Sequence, residues 1–197
     1  ASGMNALYSN TTGDINTALG YYALSSNTTG IENVAVGANA LREKITGVSN
    51  TAVGQSSLRS NTIGIANTGV GTLSLNSNIS GSQNTAIGLN TLRDNTAGDD
   101  NVAIGVNTLL TNVSGSDNTA IGRQTMVNNT TGSSNVAIGK LALNSNLTSD
   151  FNVAIGREAL FSNTESSNVA VGYQALRFNT TGLNNTANGY QALRLNT

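Results

Sequence analysis

Short apolar pulses recur along this chain at a fixed distance, each held between an Asn and a Gly. One is Asn16-Thr17-Ala18-Leu19-Gly20, and the next, seventeen positions on, is Asn33-Val34-Ala35-Val36-Gly37. The closing Gly returns as Gly20, Gly37, Gly54, Gly71, Gly88, Gly105, Gly122, Gly139, Gly156, Gly172 and Gly189. The step is constant except from Gly156 to Gly172, where it is one position shorter. The opening Asn is Asn16, Asn33, Asn50, Asn67, Asn84, Asn101, Asn118, Asn135, Asn152, Asn168 and Asn185. A fixed period of this kind marks a repeat architecture and outranks any local propensity. The unit reads N-[TV]-A-[VI]-G-x-x-A-L-x-x-N-T-T-G-x-x. It makes 1–197 one repeat domain, with a single 16-residue copy at 152–167.

Each part of the unit predicts an element. The N-T-A-I-G pulse is β-branched and bounded by turn formers, which predicts a short strand. N-T-T-G predicts a second short strand or turn, its Gly supplying a positive φ. The middle piece, such as Tyr173-Gln174-Ala175-Leu176-Arg177, has helix-favouring residues. It is too short to hold a helix alone, and reads as a third side or a tight turn. Three such sides close one coil. The fold class expected is all-β, a parallel β-solenoid or β-roll of about eleven 17-residue rungs.

Stacking sets residue i over residue i+17. Like Asn side chains then form hydrogen-bonded ladders. Leu24, Leu41, Leu58, Leu75, Leu92, Leu109, Met126, Leu143, Leu160, Leu176 and Leu193 form a core column. At about 4.8 Å per rung the stack spans roughly 50 Å. The 16-residue copy drops its residue from a surface corner, over Thr164-Glu165-Ser166-Ser167.

Side chains alternate faces along a strand. The Thr/Val and Val/Ile columns share one face and Ala takes the other, so both faces are apolar or small, as in strands covered on two sides. One face fills the coil. The other is expected to meet another chain. The small column, Ala18, Ala35, Ala52, Ala86, Ala103, Ala120, Ala137, Ala154 and Ala170, is the expected interface, because it lets a second backbone approach closely. Three chains around a common axis would satisfy it. Solenoids normally carry atypical capping repeats. Both ends here stop mid-repeat, so a segment of a longer fibre, or a unit whose ends meet other subunits, is expected.

Composition then excludes chemistry. Charged residues are 10%, against about 25% in ordinary soluble domains. A hydrophobic fraction of 38% and a net charge of -1 separate this chain from disordered low-complexity sequence. No Cys means no disulfide framework and no thiolate site. No His means that the commonest acid/base group and zinc ligand is missing. None of the ten acidic residues forms an evident catalytic pair. Asp99-Asp100 with Asp117 one rung away is the one arrangement that suggests Ca²⁺; solvated turns are the plainer reading. The Gly spacings lack the Lys-Ser/Thr of a phosphate loop. The expectation is no enzyme, no cofactor and no metal. Near-neutral charge argues against nucleic acid, and no apolar run approaches the roughly 18–20 residues of a membrane span.

Exposed columns remain. Arg42, Arg59, Arg93, Arg177 and Arg194 follow the core Leu. Their long stems can cover apolar surface, which is preferred here over a receptor or glycan contact. Tyr21, Tyr22, Tyr173 and Tyr190 follow the Gly and are expected to pack on neighbouring rungs.

At Asn135-Val136-Ala137-Ile138-Gly139 the chain resembles the S-V-A-I-G repeats of trimeric autotransporter adhesin heads, which are trimers of left-handed parallel β-rolls with a shorter repeat. The whole unit, as in Asn168-Val169-Ala170-Val171-Gly172-Tyr173-Gln174-Ala175-Leu176, is closer to the N-T-A-V-G-Y-Q-A-L repeats of phage tail-fibre-like and large bacterial surface proteins. The resemblance implies an extracellular, cell-surface or virion setting and a structural or adhesive fibre. It also implies self-association as a homotrimer and a host receptor or glycan as partner. Two other functions compete. Unpaired strand edges at the ends would favour end-to-end filaments. Ice binding uses flat Thr-rich faces, but these Thr columns are interrupted by Val, Ile and Leu, which suggests interior positions.

Overall fold

The computed structural model describes residues 1–196; Thr197 lies outside the described residues. Eleven strands form one parallel sheet in sequence order. They are β1 Thr17–Leu19, β2 Val34–Val36, β3 Thr51–Val53, β4 Thr68–Val70, β5 Thr85–Ile87, β6 Val102–Ile104, β7 Thr119–Ile121, β8 Val136–Ile138, β9 Val153–Ile155, β10 Val169–Val171 and β11 Thr186–Asn188. The chain is a parallel β-solenoid with one strand per coil. Each coil is the crossover that parallel pairing requires.

Register follows the repeat. Thr17 pairs with Val34, Ala18 with Ala35 and Leu19 with Val36. Across the 16-residue copy Val153 still pairs with Val169 and Ala154 with Ala170. The missing residue leaves the strands in place and is absorbed elsewhere.

The middle segment is a tight turn, one of the two forms expected of it. In it positive φ recurs on alternate residues: Gly37 at 131°, Asn39 at 58° and Leu41 at 48°. The cause lies in the backbone groups. A helical turn would use N–H and C=O groups internally. Here alternate residues point theirs along the fibre, the Asn39 N–H to Tyr21 O at 2.8 Å and the Leu41 N–H to Ser57 O at 3.1 Å. Rungs are therefore bonded through the turn as well as through the strand, which meets the demand that buried backbone groups be paired.

The two Gly columns differ in the reason each needs glycine. The Gly after the strand has positive φ, 132° at Gly54, where a Cβ would also lie 2.6 Å from Gly71 O. The N-T-T-G glycine, against expectation, is not a positive-φ residue. A Cβ at Gly81 would lie 2.5 Å from both Asn78 Oδ1 and Gly98 O, so close approach excludes a side chain there.

The core is thin. It consists of the strand Ala column, the Leu column from Leu24 to Leu176 and small residues before each Leu, such as Ala40, Ala142 and Ala159; Leu193, expected in the same column, is instead 52% exposed, because no further rung covers it. Two buried Asn columns flank them, one at the strand entrance and one at Asn61, Asn78, Asn95, Asn112 and Asn129.

Candidate functional site: the outward sheet face and the asparagine columns

The first Asn column is a ladder. The Asn50 N–H donates to Asn33 Oδ1 at 3.0 Å, and Asn50 Nδ2 donates to the same oxygen at 3.2 Å. The Nδ2 also reaches Gly64 O at 2.9 Å. Asn67 repeats the pattern on Asn50 at 3.0 and 3.1 Å. The side-chain ladder runs from Asn16 to Asn152 in this form. At Asn168 it changes. The N–H still donates to Asn152 Oδ1 and Nδ2 keeps its usual partners Gly182 O and Ser166 O, but in place of Asn152 Oδ1 the Nδ2 reaches Glu165 O and Asn163 Oδ1. In the second column Asn146 Oδ1 is left without a donor, because Asn163 Nδ2 turns to Glu165 O. The 16-residue copy thus disturbs both polar columns inside the stack, beyond the surface corner where its shorter length was expected to be absorbed.

The Ala column is not a contact surface. Ala35, Ala52, Ala86, Ala103, Ala120, Ala137, Ala154 and Ala170 are 0% exposed and Ala18 2%. Their methyl groups already fill the coil of their own chain. The coil is too narrow to turn a β-branched side chain inward opposite the Leu column. The larger flanking residues therefore face out. The outward face carries the Thr/Val column and, beside it, Leu19 (51% exposed), Val53, Ile87 (39%), Ile104, Ile138 and Ile155 (38%). It is a band two side chains wide along the in-register strands.

The Arg and Tyr columns lie apart from that face. Tyr173 stacks on Tyr190 at 5.3 Å, and Tyr21 meets Tyr22 edge-on at 4.4 Å. Arg42 lies over Tyr22, and Arg177 over Phe161 and Phe178. Arg59 pairs with Glu43 and Arg93 with Asp94. Glu158 accepts from Gln174, Arg177 and Arg157. Those hydrogen bonds, that of Gln174 first, hold its carboxyl below the ordinary range against the effect of burial.

Asp99 Oδ1 accepts the Ser82 N–H at 2.7 Å, an ordinary turn role. Among the described residues no cluster of three or more acidic, His or Cys groups is placed to hold a metal ion, and no pocket is present. Sequence reasoning missed Lys44. It stands in the second Asn column between Asn27 and Asn61 and is fully buried. Its place in that column was the signal that could have found it.

The chain matches no protein-family model, and comparisons with curated proteins and with solved structures return no match.

Proposed function

We propose that this chain is a structural and adhesive fibre segment whose copies pack through the outward sheet face. The observation that carries the reading is that face: a band of side chains, β-branched at every outward position except Leu19 and Asn188, half-buried to exposed, along eleven in-register strands. Hydrophobic association scales with apolar area removed from water. A band that continues along every rung gives a partner of the same repeat a matching surface. A homotrimer around a common axis is the arrangement put forward, in a cell-surface or virion fibre such as the N-T-A-V-G-Y-Q-A-L resemblance implies. The role is mechanical and adhesive, and no catalysis is assigned to it.

Sedimentation velocity at micromolar concentration tests this. A trimer is expected, and Ile87→Lys with Ile104→Lys should shift it to monomer without changing the circular dichroism spectrum. A wild-type chain that sediments as a stable monomer would defeat the reading.

One observation favours ice binding as a second reading. The Thr/Val column faces outward, which removes the objection that its interrupted Thr positions are interior. Thermal hysteresis separates the two readings: a monomer with hysteresis supports the second, a trimer without it the first.

A further inference from the structure

Lys44 is the largest fully buried side chain in the described chain. It interrupts a column whose geometry is otherwise constant. At each neighbouring rung the Asn side-chain oxygen lies against the Gly three positions on: Asn27 Oδ1 at Gly30, Asn61 Oδ1 at Gly64, Asn78 Oδ1 at Gly81. That oxygen accepts the Nδ2–H of the next Asn in the column. Asn78 donates to Asn61 at 2.9 Å and Asn95 to Asn78 at 2.8 Å. Lys44 Nζ occupies the equivalent place, against Gly47. A nitrogen thus stands where the column requires an acceptor.

Both neighbours register the change. Asn27 Oδ1, which elsewhere in the column would receive an Nδ2–H, has no donor, and Lys44 Nζ has no partner. Asn61 Nδ2 keeps only Gly64 O, at 3.1 Å. The two protonation states of an amine fit this slot differently. A neutral amine has a lone pair for Asn61 Nδ2 and N–H groups for Asn27 Oδ1. An ammonium has three donors and no acceptor. It sets donor against donor at Asn61, and it does so away from water, where an unpaired charge is costly.

We propose that Lys44 is a proton-operated weak point in the stack: uncharged, its amine is compatible with the acceptor of Asn27 and the donor of Asn61; on taking a proton from solvent it parts Asn61 from the column, and the rungs around it open locally. Burial supports the assignment by drawing the amine down from 10.5 to about 7. The charged groups nearby are engaged elsewhere. Arg42 lies over Tyr22, Glu43 pairs with Arg59 at 3.4 Å, Glu32 accepts from Ser49 Oγ, and Asp14 accepts the Ile15 N–H. Among the described residues no carboxylate pairs with Lys44 to hold its charge in place. The inference goes beyond the fibre reading and does not depend on it.

Hydrogen exchange on the full chain at pH 5.5 and pH 9, corrected for intrinsic rates, tests the proposal. Protection of segments 41–47 and 58–64 is expected to fall about 10- to 100-fold at pH 5.5, with segment 109–146 unchanged. Lys44→Asn, which restores the column, and Lys44→Met, which keeps the bulk without the proton, should both abolish the difference. An equal fall in Lys44→Asn overturns the proposal. So does an unchanged wild type, or a Lys44 side-chain nitrogen that titrates near 10.5 by NMR.

Discussion

The side-chain oxygen of Asn84 accepts two hydrogen bonds from Asn101 one rung on, from its N–H at 3.0 Å and from its Nδ2 at 3.0 Å. Asn84 itself donates to Asn67 Oδ1 at 3.1 Å and Gly98 O at 2.8 Å. One buried side chain thus joins three rungs. A carboxamide suits the place because it carries donor and acceptor together; a column of Asp would stack like charges at the rung spacing.

Asn84→Ala should therefore cost more than one ordinary hydrogen bond. It orphans the buried Asn101 N–H and takes one of two bonds from Asn101 Nδ2, which keeps Gly115 O, and from Asn67 Oδ1, which keeps the backbone N–H of residue 84. The orphaned donor costs about 1–3 kcal/mol and each lost hydrogen bond about 0.5–1.5 kcal/mol, so a loss of about 3 kcal/mol is expected in urea unfolding. Asn84→Asp should lose more at pH 7 than at pH 3, where its carboxyl is protonated and can donate. A loss for the Ala variant no larger than that of an ordinary surface substitution would remove the ladder from the account of stability.

Gly69 and Ser57 form a compensated pair. Gly69 is the one glycine in the strand Ala column, and a Cβ there would lie 2.6 Å from Ser57 Oγ. That hydroxyl donates to Gly69 O at 2.9 Å and shares a hydrogen bond with Ser74 Oγ at 2.8 Å. Gly69→Ala and Ser57→Ala should each destabilise, the first by overpacking and the second by losing bonds. Together they recreate the Ala-Ala arrangement of Ala35 with Ala23 in other rungs, and should be better tolerated than their sum. A coupling of about 1–3 kcal/mol is expected from the double-mutant cycle; strict additivity would show that the two do not share the space.

The solenoid was legible because period and register are the same fact here: Asn33, Asn50 and Asn67 align because they lie one repeat apart. The facing of the strand was not. Thr-Ala-Val alternates whichever way it points, and only coil width decides that Ala18 goes in and Leu19 goes out. Size was the clue that hydrophobicity hid, since a narrow coil takes the smallest residue inside. The middle piece was legible as a tight turn from its length, but its alternating φ was not. Leu and Ala favour helix in isolation, whereas here bonding to adjacent rungs imposes alternating φ on Gln174 and Leu176.

Stability should depend on pH through Lys44. Unfolded, its amine has the ordinary value of 10.5; folded, burial sets it at about 7. Between those values the unfolded chain binds the extra proton, so stability rises with pH from about 7 to about 10.5. Below about 7 both states are protonated and the full penalty of the buried charge is present. Lys44→Asn should gain on the order of 5 kcal/mol at pH 6 and very little at pH 10.5. The comparison is chemical unfolding of the two chains across that range. A gain that does not change with pH would assign the effect to packing instead of charge.

The Leu column gives the sharpest ordering of variants. Leu109 is fully buried at a φ of 48°, and Met126 holds the next place in the column at 49°. Unbranched, flexible Met fits that conformation, so Leu109→Met should cost under about 1.5 kcal/mol. Leu109→Ala removes buried methyls and leaves a cavity, costing about 2–5 kcal/mol. Leu109→Val keeps more volume than Ala, and volume alone would place it between the other two. The left-handed region is a genuine outlier for a β-branched residue, however, and a stiff χ1 leaves few ways to relax. Val should therefore be at least as destabilising as Ala. If urea unfolding ranks Val with Met, the alternating φ of the turn is not what constrains this column.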